Sequence, residues 1–151
     1  MHGCLFCKIV SGEEPSHKIW ENENFVAFLS IFPNTEGFTV LASKKHYSSY
    51  AFSVPENVLT GLILAAKEVG RLLDKKLNDV GRTGLILEGF GVNHLHAKLF
   101  PIHGTKNTVN QWRPIVGVVE KYFEKYEGYV SSHDCARADD DILKALAKKI
   151  R

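Results

Sequence analysis

One stretch of the chain, Asn93-His94-Leu95-His96-Ala97-Lys98-Leu99-Phe100-Pro101, carries the residue types best suited to chemistry. Polar and apolar residues alternate from His94 to Leu99, which is the period of a half-buried β-strand. His94, His96 and Lys98 are therefore predicted to project from one face of the strand, while the apolar residues between them anchor the other face in a core. Two imidazoles and an ammonium on one strand face suit the binding or cleavage of an anion. The alternative is an exposed strand with a polar outer face.

A second chemical feature is the pair Cys4 and Cys7, which are separated by two residues. Two thiols at this spacing can bind one metal ion, although they can also be two structural cysteines or a thioredoxin-like redox pair. A redox pair usually follows a strand and opens a long helix. This pair instead precedes a turn-forming segment over residues 11–15, so the redox interpretation is set aside. A zinc site requires two more ligands, for which the histidines are candidates.

Composition limits the classes of protein to consider. The 151 residues suffice for one domain with a substantial core, and 44% apolar and 24% charged residues are ordinary for a soluble globular protein. A net charge of +2 is too small to indicate a nucleic-acid-binding surface. The absence of a long apolar run or a hydrophobic leader predicts a cytoplasmic protein without membrane contact. Three cysteines argue against a disulfide framework.

Hydrophobic periodicity predicts the elements that must position these residues. Strands are predicted over residues 18–20, 25–29, 38–42 and 83–88, in addition to the strand from His94 to Leu99. A long helix is predicted from Ser53 to about Lys76, because Ser53 and Glu56 match a capping box. Its apolar stripe consists of Val58, Leu62, Ala65, Ala66, Val69, Leu72 and Leu73.

The pattern is weaker beyond Gly104. It predicts a polar loop over residues 105–110, a short helix over 120–125 and an edge strand over 128–132. A final helix is predicted after the three aspartates 139–141, whose charge complements the helix dipole. The apolar residues of this helix are Ile142, Leu143, Leu146 and Ile150.

The central stretch resembles the signature of the histidine triad (HIT) family of nucleotide hydrolases and transferases, His-φ-His-φ-His-φ-φ, where φ is apolar. Residues 94–100 fit every place except the third histidine, which is Lys98 here. The related galactose-1-phosphate uridylyltransferases also lack a histidine at that place. The resemblance implies an α+β HIT-like fold over residues 1–151, with a mostly antiparallel sheet, one long helix and a C-terminal helix. The motif region covers about residues 4–104, followed by an extension over 105–151.

The resemblance also implies a catalytic mechanism at the α-phosphate of a nucleotide. His96 is the expected nucleophile, which forms a covalent nucleotidyl-histidine that water then hydrolyses. The backbone carbonyl of His94 is expected to hold the His96 ring in the reactive tautomer, and Lys98 to offset charge on the phosphate oxygens. A proton for the leaving group must come from water or from His103. Because His103 follows a proline turn, its position is more typical of a loop histidine than of a catalytic residue. Dinucleoside polyphosphates and nucleoside phosphoramidates are the expected substrates, and a homodimer is the expected assembly.

Residues matching the nucleoside pocket of the family include Ile19, Trp20, Phe28 and Ile31. Plain core packing is the alternative for each of them and is equally expected for Ile19. Ser30 stands where the phosphoramidate-cleaving branch has an acidic residue that contacts the ribose. Gly89 and Gly91 allow the backbone to approach a ligand. In many HIT enzymes this turn carries a Gln and a Ser that bind the phosphate and the leaving group. Phe90 and Gly91 occupy those two places in this chain.

Zinc-bearing members of the family use two N-terminal cysteines, a histidine after a basic turn and the first motif histidine. The matching residues are Cys4, Cys7, His46 and His94, and such a closed Cys2His2 set implies a structural zinc. In zinc-free members the two histidines form a hydrogen-bonded pair, which is the alternative here.

Two other classes of function remain open from the sequence. The departures at Ser30, Phe90, Gly91 and Lys98 are compatible with a nucleotide-binding module that has lost catalysis. The CxxC pair is compatible with a redox protein or a zinc chaperone. A phosphate-binding loop of the GxxxxGK type is absent from the sequence, which argues against a kinase or ATPase.

Overall fold

A computed structural model describes residues 3–108 and 136–151 of the protein. These residues form a five-stranded antiparallel sheet of order β1-β2-β3-β5-β4, together with three α-helices. In chain order the elements are α1 (Leu5–Ser11), β1 (His17–Glu21), β2 (Phe25–Leu29), β3 (Thr39–Ser43), α2 (Glu56–Lys76), β4 (Thr83–Ile86), β5 (His96–Pro101) and α3 (Asp140–Ile150). The α+β fold predicted from the sequence is confirmed, whereas the helix and strand predicted over 120–125 and 128–132 lie outside the described residues.

The sheet separates two apolar cores. Along β2 the side chains of Phe25, Ala27 and Leu29 join a core beneath α2 and α3, while Val26 and Phe28 join a second core beneath α1. The apolar residues of the central stretch, Leu95, Ala97 and Leu99, are buried in the first core, as their alternation predicts. The intervening polar residues therefore project toward the α1 side, where the candidate site lies.

Helix α2 ends at Lys76, as predicted, but begins differently. Pro55 is its N-cap and makes no side-chain capping hydrogen bond, so the predicted capping box is wrong. The Ser53 hydroxyl instead donates to the Tyr50 carbonyl at 2.8 Å, within a short 3-10 turn over Ala51–Ser53. Burial of an apolar face against the sheet is the main source of stability for such a helix. The buried residues of the predicted stripe are Leu62, Ala65, Ala66, Val69 and Leu73.

Helix α3 is capped as predicted, since the Asp139 carboxylate accepts hydrogen bonds from the backbone N–H groups of Asp141 and Ile142. Leu143, Ala147 and Ile150 are buried in the core beneath α2, so the end of the chain packs with the motif region. Ile142, in the first turn of the helix, is 67% exposed and does not join the core.

Helix α1 was not predicted, because seven residues are too few to show a helical period. It ends at Gly12, whose φ of +84° is the left-handed conformation that favours glycine at a helix C-terminus. Its buried residue Phe6 packs edge-on against Phe28 and His96, with ring centroids 5.5 and 5.2 Å apart. The CxxC pair therefore does open a helix, but a short one that does not follow a strand. None of the helices in the described part of the chain is both long and apolar enough to cross a bilayer.

Candidate active site and metal centre

A cavity of about 290 Å³ lies between α1 and the sheet. Strand register forms its floor: Phe28 pairs with Val40, and Val40 pairs with Lys98 on the next strand, so the three side chains lie in one row across the sheet. Helix α1 contributes Leu5, Phe6 and Ile9, and the loop before β5 contributes Phe90, Gly91 and Val92. The walls are mostly apolar with a few polar groups, His96 and Lys98 among them, which is typical of a small-molecule site.

His96 is held in one tautomer. Its side chain is buried, and its Nδ1 lies 2.6 Å from the backbone carbonyl oxygen of His94. A carbonyl only accepts hydrogen bonds, so Nδ1 carries the proton and Nε2 keeps its lone pair. Burial lowers the pKa of His96, and the nearby Lys98 charge lowers it further, against opposing effects of the His94 carbonyl and Glu88. The site therefore presents a neutral, oriented imidazole.

Lys98 is the second ionisable group of the cavity. Its ammonium forms an ion pair with the carboxylate of Glu88, and the two side chains are only 15% and 10% exposed. The sequence pattern predicts Glu88 only as the last residue of a strand. The strand ends at Ile86, which pairs with Lys98, so Glu88 follows two residues later toward the same face.

Four metal-ligating side chains converge beside this cavity: Cys4, Cys7, His46 and His94, whose ligand atoms all lie within 4.8 Å of one another. Nδ1 of His94 is 3.3 Å from the Cys4 thiol and 3.5 Å from the Cys7 thiol, and Nδ1 of His46 is 3.4 Å from Cys7. A tetrahedral zinc with ordinary bond lengths separates sulfur from nitrogen by about 3.5 Å. The donors thus fit a metal ion at their centre.

Local structure explains how distant residues form this cluster. Cys4 caps α1 and Cys7 lies one turn later, so both thiols occupy one face of the helix. His46 follows β3 and His94 precedes β5, and these two strands are paired neighbours. Nε2 of His94 donates to the Ser43 carbonyl at 2.7 Å, which leaves Nδ1 free of a proton and turned toward the thiols. Burial lowers the pKa of His94, and a neutral imidazole is the form that binds metal.

The alternative of a simple histidine pair is less consistent with this geometry. The His46 and His94 rings are perpendicular, with centroids 5.0 Å apart. Each ring directs Nδ1 at a cysteine thiol.

Comparison with known proteins identifies the family, since the family model of the HIT domain matches residues 11–104. The chain belongs to the HIT domain family. It is 37% identical over 103 residues to an uncharacterised HIT-like protein of Methanocaldococcus jannaschii, covering 65% of this chain and 78% of the relative. It is 31% identical over 106 residues to an adenosine 5'-monophosphoramidase of Candida albicans, covering 65% and 69%. A zinc-bound histidine triad family protein from Mycobacterium smegmatis has the same fold, with a TM-score of 0.69 at 21% identity over 99% of this chain and 91% of that one.

The structure brings together most of the residues that the HIT resemblance places in the pocket. Those that line the cavity are Phe28, Ser30, Ile31, Gly91, His96 and Lys98. Gly89 lies at the edge of the site with a φ of +75°, where a Cβ atom would come within 2.9 Å of the Ser49 carbonyl oxygen. Glycine is therefore required there by close packing of the two loops.

Two residues predicted to line the HIT pocket lie elsewhere. Ile19 is buried in the core beneath α2, and Trp20 packs against the same core. The pocket assignment is wrong for both, and the structure shows the core packing that was the alternative, equally expected for Ile19. Lys18 pairs with Phe28 on the cavity face, so ordinary alternation directs Ile19 to the opposite face. The pairing then shifts by one residue, so that Trp20 pairs with Ala27 and faces the same core.

Several residues of the HIT cavity were missed from the sequence. Phe38 lies just before β3 and Val40 lies on it, two residues apart, and Val40 pairs with Phe28, so alternation along the predicted strand 38–42 was an available signal for them. The residues of α1 and the segment over 14–16 gave no such signal, because their approach to the sheet depends on long-range packing. Glu88, which does not line the cavity, also could not be predicted as a partner of Lys98. Their ion pair forms only because β4 pairs with β5.

His103 lies outside the cavity and bridges two loops. Its Nδ1 is 2.8 Å from the Asp79 carboxylate and its Nε2 is 2.9 Å from the Glu36 carbonyl oxygen, so both nitrogens donate and the ring is cationic. Burial lowers the pKa of His103, but the hydrogen bonds to Glu36 and Asp79 raise it more, and the net shift is upward. The hydrogen bond from His103 lowers the pKa of Asp79. This arrangement indicates a structural role rather than proton donation to a leaving group.

The stabilisation by His103 is expected to depend on pH. A raised folded-state pKa contributes stability that is fully present below the unfolded pKa and is lost as the pH rises through the folded pKa. Asp79, whose pKa is lowered, contributes above its own unfolded pKa. Thermal melts of wild type and His103→Gln should therefore differ most between about pH 5 and 6 and converge toward about pH 9. A melting-temperature difference that stays constant over this range would contradict the bridge.

Proposed function

We propose that this HIT protein cleaves a nucleotide at its α-phosphate, by hydrolysis or transfer, through a covalent nucleotidyl-His96 intermediate. The hydrogen bond from Nδ1 of His96 to the His94 carbonyl carries the proposal, because it leaves the Nε2 lone pair available in a cavity of suitable size. The homologues include a protein of Candida albicans that is named as an adenosine 5'-monophosphoramidase.

The reaction divides one displacement into two easier ones. Nε2 of His96 attacks the α-phosphorus, a P–N bond forms, and the bond from phosphorus to the leaving group breaks. The leaving group takes a proton from water. A water molecule then attacks phosphorus and breaks the P–N bond, which releases the nucleoside monophosphate and restores neutral His96. The Lys98 ammonium offsets negative charge that develops on the phosphoryl oxygens in both steps.

The apolar part of the cavity suits a nucleoside. Phe28 and Ile31 supply surface for a base and sugar, while Ser30 Oγ accepts a hydrogen bond from the Phe32 N–H and retains its own proton to donate to a hydroxyl. Open space lies beside Gly91, so its backbone can approach a phosphate. Nucleoside phosphoramidates and dinucleoside polyphosphates are the proposed substrates.

The Cys4, Cys7, His46 and His94 set is proposed to hold one structural zinc. A closed set of four protein ligands leaves no position for a reacting water. The metal fixes the orientation of the His94 segment, whose carbonyl in turn fixes the tautomer of His96. Its effect on activity is therefore positional.

A homodimer is proposed as the assembly. In the described part of the chain β4 pairs with β5 alone, which leaves its other edge available for pairing. Apolar side chains are exposed on β4 and the neighbouring face of α2, namely Ile63, Leu64 and Leu85. The cytoplasmic location stays a prediction from the sequence.

Product analysis tests the proposed reaction. The protein is incubated with adenosine 5'-phosphoramidate and with a diadenosine polyphosphate, and the expected product in each case is adenosine monophosphate, detected by mass. Samples denatured at alkaline pH, where P–N bonds survive, should contain a peptide with an added adenylyl group on His96. Tight nucleotide binding with neither product nor adduct would instead support the binding module without catalysis.

A further inference from the structure

The partner of Lys98 is a feature that the HIT signature does not account for. Glu88 and Lys98 form an ion pair within the wall of the cavity, and both side chains are largely buried. Burying a charged group is costly unless an opposite charge compensates for the lost hydration. Each of these two buried charges is therefore stabilised by the other. Lys98 lines the cavity, whereas Glu88 does not, so the ammonium is the member of the pair that a ligand can reach.

We propose that Glu88 is a positioning residue that holds the Lys98 ammonium against the reacting phosphoryl group; this rests on the proposed function. A lysine side chain is a point charge on a flexible four-carbon stem, and it needs a partner to hold it in one place. An ammonium has three N–H donors. One donor is used by Glu88, and two remain for phosphoryl oxygens beside His96, which precedes Lys98 by two residues on the same strand face.

Strand geometry explains why this glutamate is suited to the role. Ile86 pairs directly with Lys98, and the residue two positions after Ile86 returns to the same face of the sheet. Continuation of that register past the end of β4 brings position 88 opposite His96 and diagonal to Lys98. The charges of both Glu88 and Lys98 act on His96, which is consistent with this proximity.

A different role for Glu88 makes the opposite prediction. If the carboxylate only neutralised Lys98, its removal would leave a stronger cation in the cavity, so substrate would bind more tightly and KM would fall. If it positions Lys98 for the transition state, its removal lowers kcat and leaves KM nearly unchanged. Steady-state kinetics of Glu88→Gln, which keeps the shape and removes the charge, separates the two.

We expect Glu88→Gln to lower kcat by about 10- to 100-fold, the range for misplacement of a catalytic group by about 1 Å, with KM within about twofold of wild type. Glu88→Asp keeps the carboxylate and should recover part of the loss. The matched control is Glu21→Gln, which removes a glutamate that pairs with Lys18 and Lys44 at the surface, at 3.0 and 2.9 Å. An unchanged kcat in Glu88→Gln, or a lowered KM, would overturn the proposal.

A double-mutant cycle tests whether Glu88 acts through Lys98. Lys98→Met keeps much of the stem and removes the charge, and it should lower kcat/KM by roughly 10²- to 10³-fold, as for loss of one transition-state donor. Adding Glu88→Gln to Lys98→Met should cause no further loss. Losses that multiply would show that Glu88 does not act through Lys98.

A measurement without turnover separates failure of this proposal from failure of the proposed function. Side-chain NMR of lysine-labelled protein should show a protected ammonium signal that disappears in Lys98→Met, which assigns it, and that is lost to exchange in Glu88→Gln. A signal that persists in Glu88→Gln would overturn the proposal, whatever the activity. An enzyme inactive on every nucleotide tested, with the signal behaving as expected, would overturn the function and leave the role of Glu88 in holding Lys98 supported.

Discussion

Replacement of His96 by alanine is expected to lower turnover of every nucleotide that the wild type cleaves by roughly 10⁴- to 10⁶-fold, the loss typical of a covalent nucleophile. In the described part of the chain the cavity lining holds no second histidine, and Lys98 is paired with Glu88. Single-turnover rates and the mass of the adenylylated peptide provide the measurement. Near-normal rates in His96→Ala would refute the covalent mechanism.

The folded state of each His96 variant must be verified, because His96 is 3% exposed and packs against Phe6. An exposed polar face would tolerate truncation, but this position is buried, and alanine leaves a void beside the Phe6 ring. His96→Asn fills more of the space and keeps a donor for the His94 carbonyl, so it should lose activity equally with a smaller change in melting temperature. His103→Gln is the matched control, since this histidine lies outside the cavity and its loss should leave turnover unchanged.

Removal of zinc is expected to have the largest effect on stability. The four proposed ligands come from α1, the loop after β3 and the segment before β5, so one ion joins three parts of the chain. Binding of this kind contributes directly to folding, because the unfolded chain offers no preformed site. Elemental analysis should find about one zinc per chain in protein purified without chelator. Prolonged chelation should lower the melting temperature by roughly 10–20 °C, the shift for about 5 kcal/mol in a chain of this size, and activity should fall as a consequence.

Single substitutions identify the ligands. Cys7→Ser and His46→Asn should each lose the metal and reproduce the lowered melting temperature, with substrate preference unchanged in the remaining activity. His17→Asn is the control, because His17 pairs with Asp140 on the surface and should retain zinc. Metal-free protein with reactive thiols at Cys4 and Cys7 and full activity would refute the zinc site.

The sequence by itself determined the features that depend on local periodicity. Alternation from His94 to Leu99 placed three apolar residues in the core beneath α2, because side chains of a strand point to opposite faces in turn. The end of α2 at Lys76 and the Asp139 cap of α3 follow equally from local pattern and capping chemistry. The four candidate metal ligands were predicted from residue types and order through the family resemblance, and the structure brings them together.

Only the tertiary structure decided features that require distant segments to meet. Phe25–Leu29 is apolar throughout, so nothing in its composition says which side chains line the cavity and which fill the other core. Burial of His96 depends on α1 packing over the sheet, and seven residues carry too little periodicity to predict that helix. The pairing of Glu88 with Lys98 depends on the register between β4 and β5, which is set by burial and packing across the whole sheet rather than by either segment alone.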